Sequence, residues 1–575
     1  MLLLILIMEF PYMRNAVLLL IAMSAMSCAI AQGSPEKPKS GAKQSAASVP
    51  ASAQSAINNV NPEIIRAHVR FLSLDLLEGR GTGQRGGDIA AEYIGTQFAS
   101  YGLKPIGDNG SYLQKVEMLG IKTKPESSYA VTTEKGQKLD LKPGQDIVSM
   151  DETGNASDEI DAPIVWVGFG ITAPEYRWDD YSGLDVKGKV LLMLVNEPPS
   201  TDPNFFKAKA LTYYGRWTYK YEQAARMGAV GVILVHQTEM ASYGWDVVHN
   251  SWGGERSYLR ANNEPQLKAA SWIQYNVAKQ IFADSDIDIA KAISEAGRPG
   301  FKGRELNAHF KAHVESAVRP FNSYNVVAEL QGSDSKLTDQ AIMYSAHYDH
   351  LGIDPNQSGD NIYNGAADNA TGCGILLEIA RVMSASPVKP KRSVIFASVT
   401  AEEQGLRGSE YLGKNPPIPA RNISLDLNFD DVPPIGMPEE VQVSGAERTT
   451  FYPVVEQTAK EFKLTIVPDS RPEAGHYYRS DHFSLARVGV PAFSVNEGEK
   501  FAGHDKDWGE KQAQDYNKNR YHQVTDEYKP EMDFSGDALM AKFGVALGWK
   551  AANQPNKVGW RAGDEFEKAR KASEQ

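Results

Sequence analysis

The chain has 575 residues, of which 42% are hydrophobic, so it is long enough to bury a large core and to form more than one domain. Its formal net charge is -12, from 60 Lys and Arg against 72 Asp and Glu, which leaves no basic surface for nucleic acid. With only 2 cysteines it is not a small scaffold held together by disulfides.

Residues 1–31 have the pattern of an export signal. Arg14 precedes an apolar stretch over residues 16–23, and small residues end in Ala29-Ile30-Ala31, after which cleavage would leave Gln32 first. The apolar stretch is too short for a stable membrane span, and no later segment approaches the roughly 20 apolar residues of a spanning helix. We therefore expect a periplasmic or secreted protein.

Two features of this N-terminal segment leave alternatives open. Met13 is a second candidate for the start of translation, because the residues before it are unusual ahead of the basic residue of a signal. Cys28 is a candidate for lipidation, although the residues before it match that signal poorly. After removal of the signal Cys373 is the only cysteine, so no internal disulfide can form.

The next two segments differ in composition. Residues 32–58 are rich in Ser, Ala, Pro, Lys and Gln, which predicts a flexible leader. Residues 59–123 show two helical patterns around a glycine-rich turn, and they form the first part of a larger domain. Gly81, Gly83 and Gly86 spell G-x-G-x-x-G, but a helical pattern and not a strand precedes them, which argues against a dinucleotide site.

Residues 124–303 have the sequence pattern of an inserted, β-rich module. Short β-type runs such as KVLLMLV and GVILVH surround one helical pattern, KYEQAARMGA, with long polar connections between them. Two interpretations of its aromatic residues are equally consistent with the sequence: they cover a substrate cleft, or they pack the module's own core. These aromatic residues are Tyr213, Tyr214, Trp217, Tyr219, Trp245 and Trp252.

Residues 304–575 alternate strand-type runs with helical patterns. Examples are AIMYSAHYD, GCGILLEIARVMS, SVIFASVT and SLDLNFD. This alternation of strand-type and helical segments predicts an α/β domain with a mixed, mainly parallel central sheet flanked by helices. Ligands bind outside the carboxyl ends of the strands in such sheets, so the residues that follow each run are the candidates for chemistry.

Acidic and imidazole side chains follow several of these runs. Any one of them is commonly a helix cap or a solvated surface group. Together, however, two imidazoles and several carboxylates at one edge of a sheet would repel one another unless a cation lay between them. The candidates are His347 and Asp349, Asp368, Glu402 and Glu403, Asp430 and Asp431, and His522 with Asp526.

The ligand types indicate which metal is expected. Imidazole and carboxylate without thiolate favour zinc over cobalt or manganese, and they disfavour calcium. The candidates outnumber the three protein ligands of a single catalytic ion. Two ions bridged by one carboxylate would use all of them.

Six blocks in this order resemble the signature of the co-catalytic di-zinc aminopeptidase family, which includes secreted bacterial leucyl aminopeptidases and, more distantly, glutamate carboxypeptidase. The blocks are HYD (347–349), NGAADN (364–369), AEEQGLRGS (401–409), NFD (428–430), YRSDH (478–482) and YH (521–522). The inserted module is similar to a protease-associated domain, through VGFGITAPEYRWDDYSGLDVKGKVLLMLV and AARMGAVGVILVH.

The resemblance implies a site and a mechanism. His347 and Asp430 would bind one zinc ion, Glu403 and His522 would bind the other, and Asp368 would bridge them. Glu402 would be the general base for a water that bridges the ions. On a strand, neighbouring residues face opposite ways, which would let Glu403 reach the metal while Glu402 faces the water.

Four further residues are candidates for supporting roles. Asp349 and Asp526 are placed to orient the imidazoles of His347 and His522, although both could be plain surface acids. Tyr477 and Tyr521 lie where family members place tyrosines near the metals, and a phenol there would stabilise a developing oxyanion.

Two residues are rivals to the assigned ligands. His482 is the main rival to the assigned histidines, but the family pattern puts Asp481 and His482 in the supporting shell of the site and not on the metal. The same pattern has an apolar residue after N-x-D, whereas Asp431 stands there in this chain, so Asp431 is an alternative to Asp430 as the ligand.

The resemblance implies an exported aminopeptidase acting on peptides. An alternative is a carboxypeptidase or dipeptidase of the glutamate carboxypeptidase type, which needs arginines for a substrate carboxylate; Arg407 and Arg479 are candidates. A second alternative is a binding protein without activity, but such proteins have lost ligands or the base, and here all are present.

Overall fold

The computed structural model describes residue 49 and residues 51–575, with gaps at 203, 242 and 261–263. The side chains of 51–53 and 250–253 are also left undescribed, so the prediction for Trp252 lies outside the described residues. The predicted export signal, residues 1–31, and most of the predicted leader lie outside them as well. No helix of the described part is both long enough and apolar enough to cross a membrane.

The strands range from two-residue bridging segments to one strand of 27 residues. They are β1 (Lys104–Pro105), β2 (Leu113–Thr123), β3 (Ser128–Thr133), β4 (Lys138–Leu141), β5 (Ile147–Met150), β6 (Ser157–Trp166), β7 (Thr172–Ala173), β8 (Trp178–Asp179), β9 (Val190–Leu194), β10 (Gly231–His236), β11 (Arg256–Leu259), β12 (Ala269–Gln274), β13 (Arg304–Leu330), β14 (Ala341–His347), β15 (Gly352–Ile353), β16 (Ile362–Tyr363), β17 (Ser393–Val399), β18 (Ile423–Asn428), β19 (Glu440–Gln442), β20 (Thr465–Val467), β21 (Ala492–Ser494) and β22 (Asn496–Glu497).

The α-helices lie before, between and after these strands. They are α1 (Ala51–Asn58), α2 (Pro62–Leu72), α3 (Arg85–Ser100), α4 (Trp217–Arg226), α5 (Thr238–Ala241), α6 (Trp245–Gly253), α7 (Tyr275–Asp284), α8 (Ile289–Ala296), α9 (Thr371–Ala385), α10 (Arg407–Lys414), α11 (Tyr452–Glu461), α12 (His482–Arg487), α13 (Trp508–Asn519), α14 (Ser535–Asn553) and α15 (Glu567–Ser573).

The central sheet of the second half has the order β21–β18–β14–β17–β13. The first four strands run parallel, and β13 joins β17 antiparallel. Every residue of β14, β17 and β18 is buried, as expected for parallel strands that helices cover on both faces. The prediction of a mixed, mainly parallel sheet flanked by helices is confirmed.

The helices that cover this sheet follow from their sequences. α2 begins with Pro62 after Asn61, whose side chain accepts a hydrogen bond from Glu63 N at 3.0 Å, so the first turn is capped. α9 and α14 are buried on nearly all sides, because both helices contact the sheet and each other, and α2 packs against both. Their side chains join those of β14 and β18 in one apolar core.

Strand β13 connects the inserted module to the central sheet. Its first half, through Glu315, pairs with β3 and β6 of the module, and its second half pairs with β2 and β17. The predicted domain boundary between 303 and 304 therefore falls at the start of a strand that belongs to both parts. Buried residues alternate with less buried ones over 306–316, whereas 325–328 are all buried, so the two halves of this strand lie in different surroundings, which composition alone did not reveal.

The end of the predicted leader is ordered as α1. Ala56 is 2% exposed and Ile57 is 4% exposed, and both belong to the core that contains α9 and α14. The prediction of a flexible leader up to residue 58 is wrong for this last segment. Its two apolar side chains gain enough burial to hold one short helix against the domain.

Candidate metal centre

The predicted site residues lie at the carboxyl ends of three adjacent strands. His347 is the last residue of β14, and Asp430 comes two residues after the end of β18. Glu402 and Glu403 follow the end of β17 by three and four residues. Because these strands are parallel neighbours, their ends bring the three segments to one edge of the sheet.

The two glutamates lie in a turn and not on the strand. Ala401 has a φ of 56°, in the left-handed region, and it ends the extended course of the chain. The amides of Gly405 and Leu406 then donate to Glu402 O at 2.8 and 2.9 Å, which closes the turn. The side chains of Glu402 and Glu403 therefore diverge because of this turn, and the explanation from strand alternation is wrong.

Three of the predicted ligands form the first group of side chains. His347 Nε2 lies 3.0 Å from Asp430 Oδ1 and 3.3 Å from Asp368 Oδ1. His347 is only 1% exposed, and Asp368 is 3% exposed. One donor atom from each of the three lies within 4.8 Å of the others, an arrangement that can hold a metal ion.

A second group meets the other oxygen of Asp368. His522 Nε2 lies 3.2 Å from Asp368 Oδ2 and 3.2 Å from Glu403 Oε2. Asp368 thus directs one oxygen at each group, the arrangement expected of a bridging carboxylate.

The second group also contains His350, which the sequence analysis missed. Its Nδ1 lies 2.7 Å from Glu403 Oε1 and 3.9 Å from Asp368 Oδ2. The available signal was its position three residues after His347, in the HYDH run that follows β14. A histidine in a loop after a strand is commonly a surface group, whereas this one is buried.

The charges of the two groups fit a divalent cation. Burial opposes a charge on His347, yet the carboxylates of Asp430 and Asp368 raise its pKa well above the usual range. Burial likewise opposes ionisation of Asp368, but its hydrogen bonds with His347 and His522 hold its pKa well below the usual range. A metal ion would take the place of these imidazole protons, because ligand histidines bind metal in the neutral form.

Asp349 and Asp526 are both buried. Asp349 Oδ1 lies 3.8 Å from His347 Nδ1, so this carboxylate is beside the imidazole that it was predicted to orient. Asp349 Oδ1 accepts a hydrogen bond from Glu402 N at 3.1 Å, and its main-chain oxygen lies 3.2 Å from His347 Nδ1. Asp526 accepts from Asp368 N and Ala367 N at 3.1 Å. Each aspartate therefore fixes the backbone beside a predicted site residue, and the expected contact between Asp526 and His522 is wrong.

Asp431 and His482 lie outside both groups. Asp431 is exposed, and it is Asp430 whose carboxylate contacts His347. His482 is 1% exposed, and burial lowers its pKa to about 3. The centre of its ring lies 4.7 Å from that of the Tyr477 ring, and His482 lines the larger of the two cavities near the site without joining either group.

The two predicted tyrosines occupy different environments. The Tyr477 hydroxyl donates to Ala492 O at 3.1 Å, and the Arg448 guanidinium lies 4.6 Å from the centre of its ring. Tyr521 is 38% exposed, stacks on His522 at 4.0 Å between ring centres, and lines a cavity together with Asp368 and Glu402. Of these two tyrosines, only Tyr521 lines the cavity that contains Asp368 and Glu402.

Replacing Tyr521 by phenylalanine should lower kcat by about 10²-fold, the usual effect of removing one donor to an oxyanion. Tyr477→Phe is the matched control, and it should change kcat by less than about threefold, since its hydroxyl bonds the backbone elsewhere. Steady-state kinetics on a substrate that the unmodified protein turns over provide both values. Equal losses in the two variants would assign the tyrosines to packing alone.

Two open cavities meet at the metal centre. The larger, about 760 Å³, is lined by Asp368, Asp430, Asp431 and Tyr521. The smaller, about 330 Å³, lies between the inserted module and the peptide segments around Glu403 and Arg407. Glu402 lines both cavities, so it lies at the point where they join.

The aromatic residues of the module divide between the two expected roles. Tyr213 and Trp217 line the smaller cavity, and the Tyr213 ring packs 4.8 Å from that of Phe483. Tyr214, Tyr219 and Trp245 instead make hydrogen bonds within the module. The module therefore covers one side of the cleft with part of its aromatic set and packs its own core with the rest.

Comparison with known proteins gives one family. Residues 325–540 match the family described as Peptidase family M28. Leupeptin-inactivating enzyme 1 from Streptomyces exfoliatus is 30% identical over 245 residues, which are 40% of this chain and 51% of the relative. A probable zinc metalloprotease from Pyrenophora teres f. teres (strain 0-1) is 34% identical over 119 residues, 20% of this chain and 24% of the relative. These matches span about half of the length of the relatives or less.

Solved structures with a related arrangement are also known. An aminopeptidase from Aneurinibacillus sp. strain AM-1 has a TM-score of 0.49 at 20% identity, covering 89% of this chain and 98% of its own. A zinc aminopeptidase from Bacillus subtilis has a TM-score of 0.42 at 14% identity, covering 88% of this chain and 97% of its own. Both scores lie below 0.5, so the fold assignment depends on the sheet order described above.

Proposed function

We propose that this chain, whose residues 325–540 form a domain of peptidase family M28, is a zinc-dependent aminopeptidase that releases N-terminal residues from peptides. The observation that carries the proposal is the position of Glu402. This carboxylate borders both cavities beside the two groups of metal-ligand type, yet it belongs to neither group. It is therefore free to move protons where a substrate can reach it.

We assign His347 and Asp430 to one ion, Glu403 and His522 to the other, and Asp368 to both. When bound, divalent ions lower the pKa of water and polarise a scissile carbonyl. Glu402 takes the proton of the attacking water and delivers it to the leaving amine. Asp349, which accepts from Glu402 N at 3.1 Å, holds the turn that presents this base.

The charges along the cleft favour a peptide lying across Glu402. Asp431 is exposed on the wall of the larger cavity, where its carboxylate suits a terminal ammonium. Arg216, Arg256 and Arg479 line the smaller cavity, and in the described part of the chain none of them forms an ion pair within 4.0 Å. A short peptide would thus place its amine toward Asp431 and its carboxylate toward the arginines.

The first test is hydrolysis of a panel of aminoacyl anilides by the full-length protein. We expect cleavage that a strong chelator abolishes and that added Zn²⁺ restores. The reason is that the bound ions activate the water and polarise the carbonyl, and the protein ligands alone cannot do this. Magnesium added at the same concentration is the control, since imidazole-rich sites bind it weakly. A folded protein that binds two equivalents of zinc and cleaves no member of the panel would refute the proposal.

The same arginines favour a second candidate function, a carboxypeptidase or dipeptidase of the glutamate carboxypeptidase type. Arg407 is less suited to this role than expected, because it is paired with Glu410 at 3.0 Å. Arg479, by contrast, is exposed and lines both cavities. The distinction between the two functions is which end of the substrate must be free.

Peptides blocked at one end separate these functions. We expect an amidated tripeptide with a free amine to be cleaved and an N-acetylated tripeptide with a free carboxylate to be resistant, because a free amine is needed beside Asp431 and the metal. Product analysis by mass spectrometry identifies the bond that is cut. The opposite preference would establish the carboxypeptidase function, and cleavage of only doubly free dipeptides would establish a dipeptidase.

We also propose that the protein is exported. The support is the pattern of residues 1–31, with its basic residue, its short apolar stretch and its small residues before Gln32. N-terminal sequencing of the protein from the periplasmic or extracellular fraction should begin at Gln32. A mature cytoplasmic protein beginning at Met1 or Met13 would refute export. A mature protein that begins with a lipid-modified Cys28 would show that the signal is cleaved before Cys28 and not before Gln32.

A further inference from the structure

His350 has no role in the assignments made so far, although it lies inside the metal centre. Its side chain is fully buried, and neither ring nitrogen has a hydrogen-bond partner. Glu403 Oε1, which lies 2.7 Å from His350 Nδ1, also has none. A buried imidazole with both nitrogens unpaired is costly, and such a group in a folded protein calls for a specific partner.

The contact between His350 and Glu403 has the geometry of two ligands of one ion. Nδ1 and Oε1 are 2.7 Å apart, but the two atoms are not aligned as a donor and acceptor of a regular hydrogen bond. Two ligands direct their lone pairs at a shared third point, so they come close without facing each other. One donor atom each of His350, Asp368 and Glu403 lies within 4.8 Å of the others.

We propose that His350 is an additional protein ligand of the divalent ion held by Glu403 and Asp368. The proposal rests on the metal centre of the proposed function, and it adds a residue of this chain to it. The His350 and His522 rings lie 5.7 Å apart and nearly perpendicular, with Glu403 contacting both. This ion would have two imidazoles and two carboxylates, whereas the ion beside His347 would have one imidazole and two carboxylates.

The surrounding backbone holds the His350 ring in place. His350 N donates to Arg80 O at 3.3 Å, and the buried Arg80 guanidinium donates to Asn364 O at 2.6 Å and to Gly365 O at 2.8 Å. A Cβ at Gly365 would lie 2.6 Å from His350 Cγ, so this position has room only for glycine. The ring is therefore fixed against the loop that carries Asp368.

Because the two positions have different ligand sets, we expect them to differ in metal preference and in affinity. More imidazole favours zinc, whereas carboxylate-rich sites accept manganese and similar ions more readily. The position with His350 should fill first and exchange last. The position beside His347 keeps more open coordination, which suits it to receive a substrate group.

The test counts metal-bound histidines in the full-length protein loaded with Co²⁺. Each ligand imidazole keeps one N–H near the paramagnetic ion and gives one strongly shifted proton signal that exchanges with solvent. We expect three such signals from the unmodified protein and two from His350→Gln. In chelator competition, one of the two ions should bind at least about 100-fold more weakly in His350→Gln, above the usual effect of a supporting residue.

His68→Gln is the matched control, because His68 is also a buried histidine but bonds Tyr93 on another helix. It should keep three signals and both affinities. Only two signals from the unmodified protein, or three from His350→Gln, would overturn the proposal, and the first outcome is decisive even if the variant does not fold. Failure of the proposed function alone would give three signals and no peptide cleavage.

Discussion

Glu402→Gln should lower kcat by about 10³-fold while leaving the metal content unchanged. The amide matches the carboxylate in size but cannot accept the proton of water, and a positioned general base contributes about 10² to 10⁴ in rate. Metal binding should persist because Glu402 belongs to neither group of metal-ligand type. The measurements are steady-state kinetics on an aminoacyl anilide and elemental analysis of the same preparation.

Glu126→Gln is the control for this change, since Glu126 is an exposed residue in a turn of the module. It carries the same chemical replacement and should keep full activity. If Glu402→Gln also kept full activity, the assignment of the base would be refuted for every hydrolase function. A loss of both activity and metal would instead make Glu402 a ligand.

Asp368→Asn should abolish activity by removing metal. Asp368 contacts both groups, with Oδ1 3.3 Å from His347 Nε2 and Oδ2 3.2 Å from His522 Nε2. An amide offers one weaker acceptor in place of two charged oxygens, so at least one ion should be lost at stoichiometric zinc. The rate should fall by at least about 10³-fold, which corresponds to several kcal/mol of lost transition-state stabilisation.

The contrasting variant is Asp431→Asn. Asp431 neighbours Asp430 but belongs to neither group of metal-ligand type, so its replacement should leave the zinc content at the unmodified level. Its KM for peptides should rise if its carboxylate receives the terminal amine. Zinc loss in Asp431→Asn comparable to that in Asp368→Asn would show that Asp431, and not Asp430, completes the first group.

The segments that carry the site could be predicted from the sequence because they follow buried strands. Seven consecutive buried residues in SVIFASV identify a parallel strand, and its end fixes where Glu402 and Glu403 emerge. The same argument placed His347 after β14 and Asp430 after β18. Local pattern was enough here because strand direction alone determines which edge receives these residues.

Other features depended on contacts between distant parts of the chain. The carboxylate of Asp526 bonds the amide of Asp368, 158 positions away, and no spacing rule predicts such a pair. The turn at Ala401 and the long strand β13 were missed because each depends on what packs around it. His350 was missed because burial, which distinguishes a ligand from a surface histidine, is a tertiary property.

The sequence by itself determined the α/β sheet, the strand ends and the residue types that meet there, since apolar periodicity and strand polarity are local properties of the chain. Only the tertiary structure decided which oxygen of Asp368 faces which histidine, that His350 joins Glu403, and that module and sheet enclose a cleft around Glu402. Those facts depend on the free energy of packing, which is summed over residues far apart in the chain.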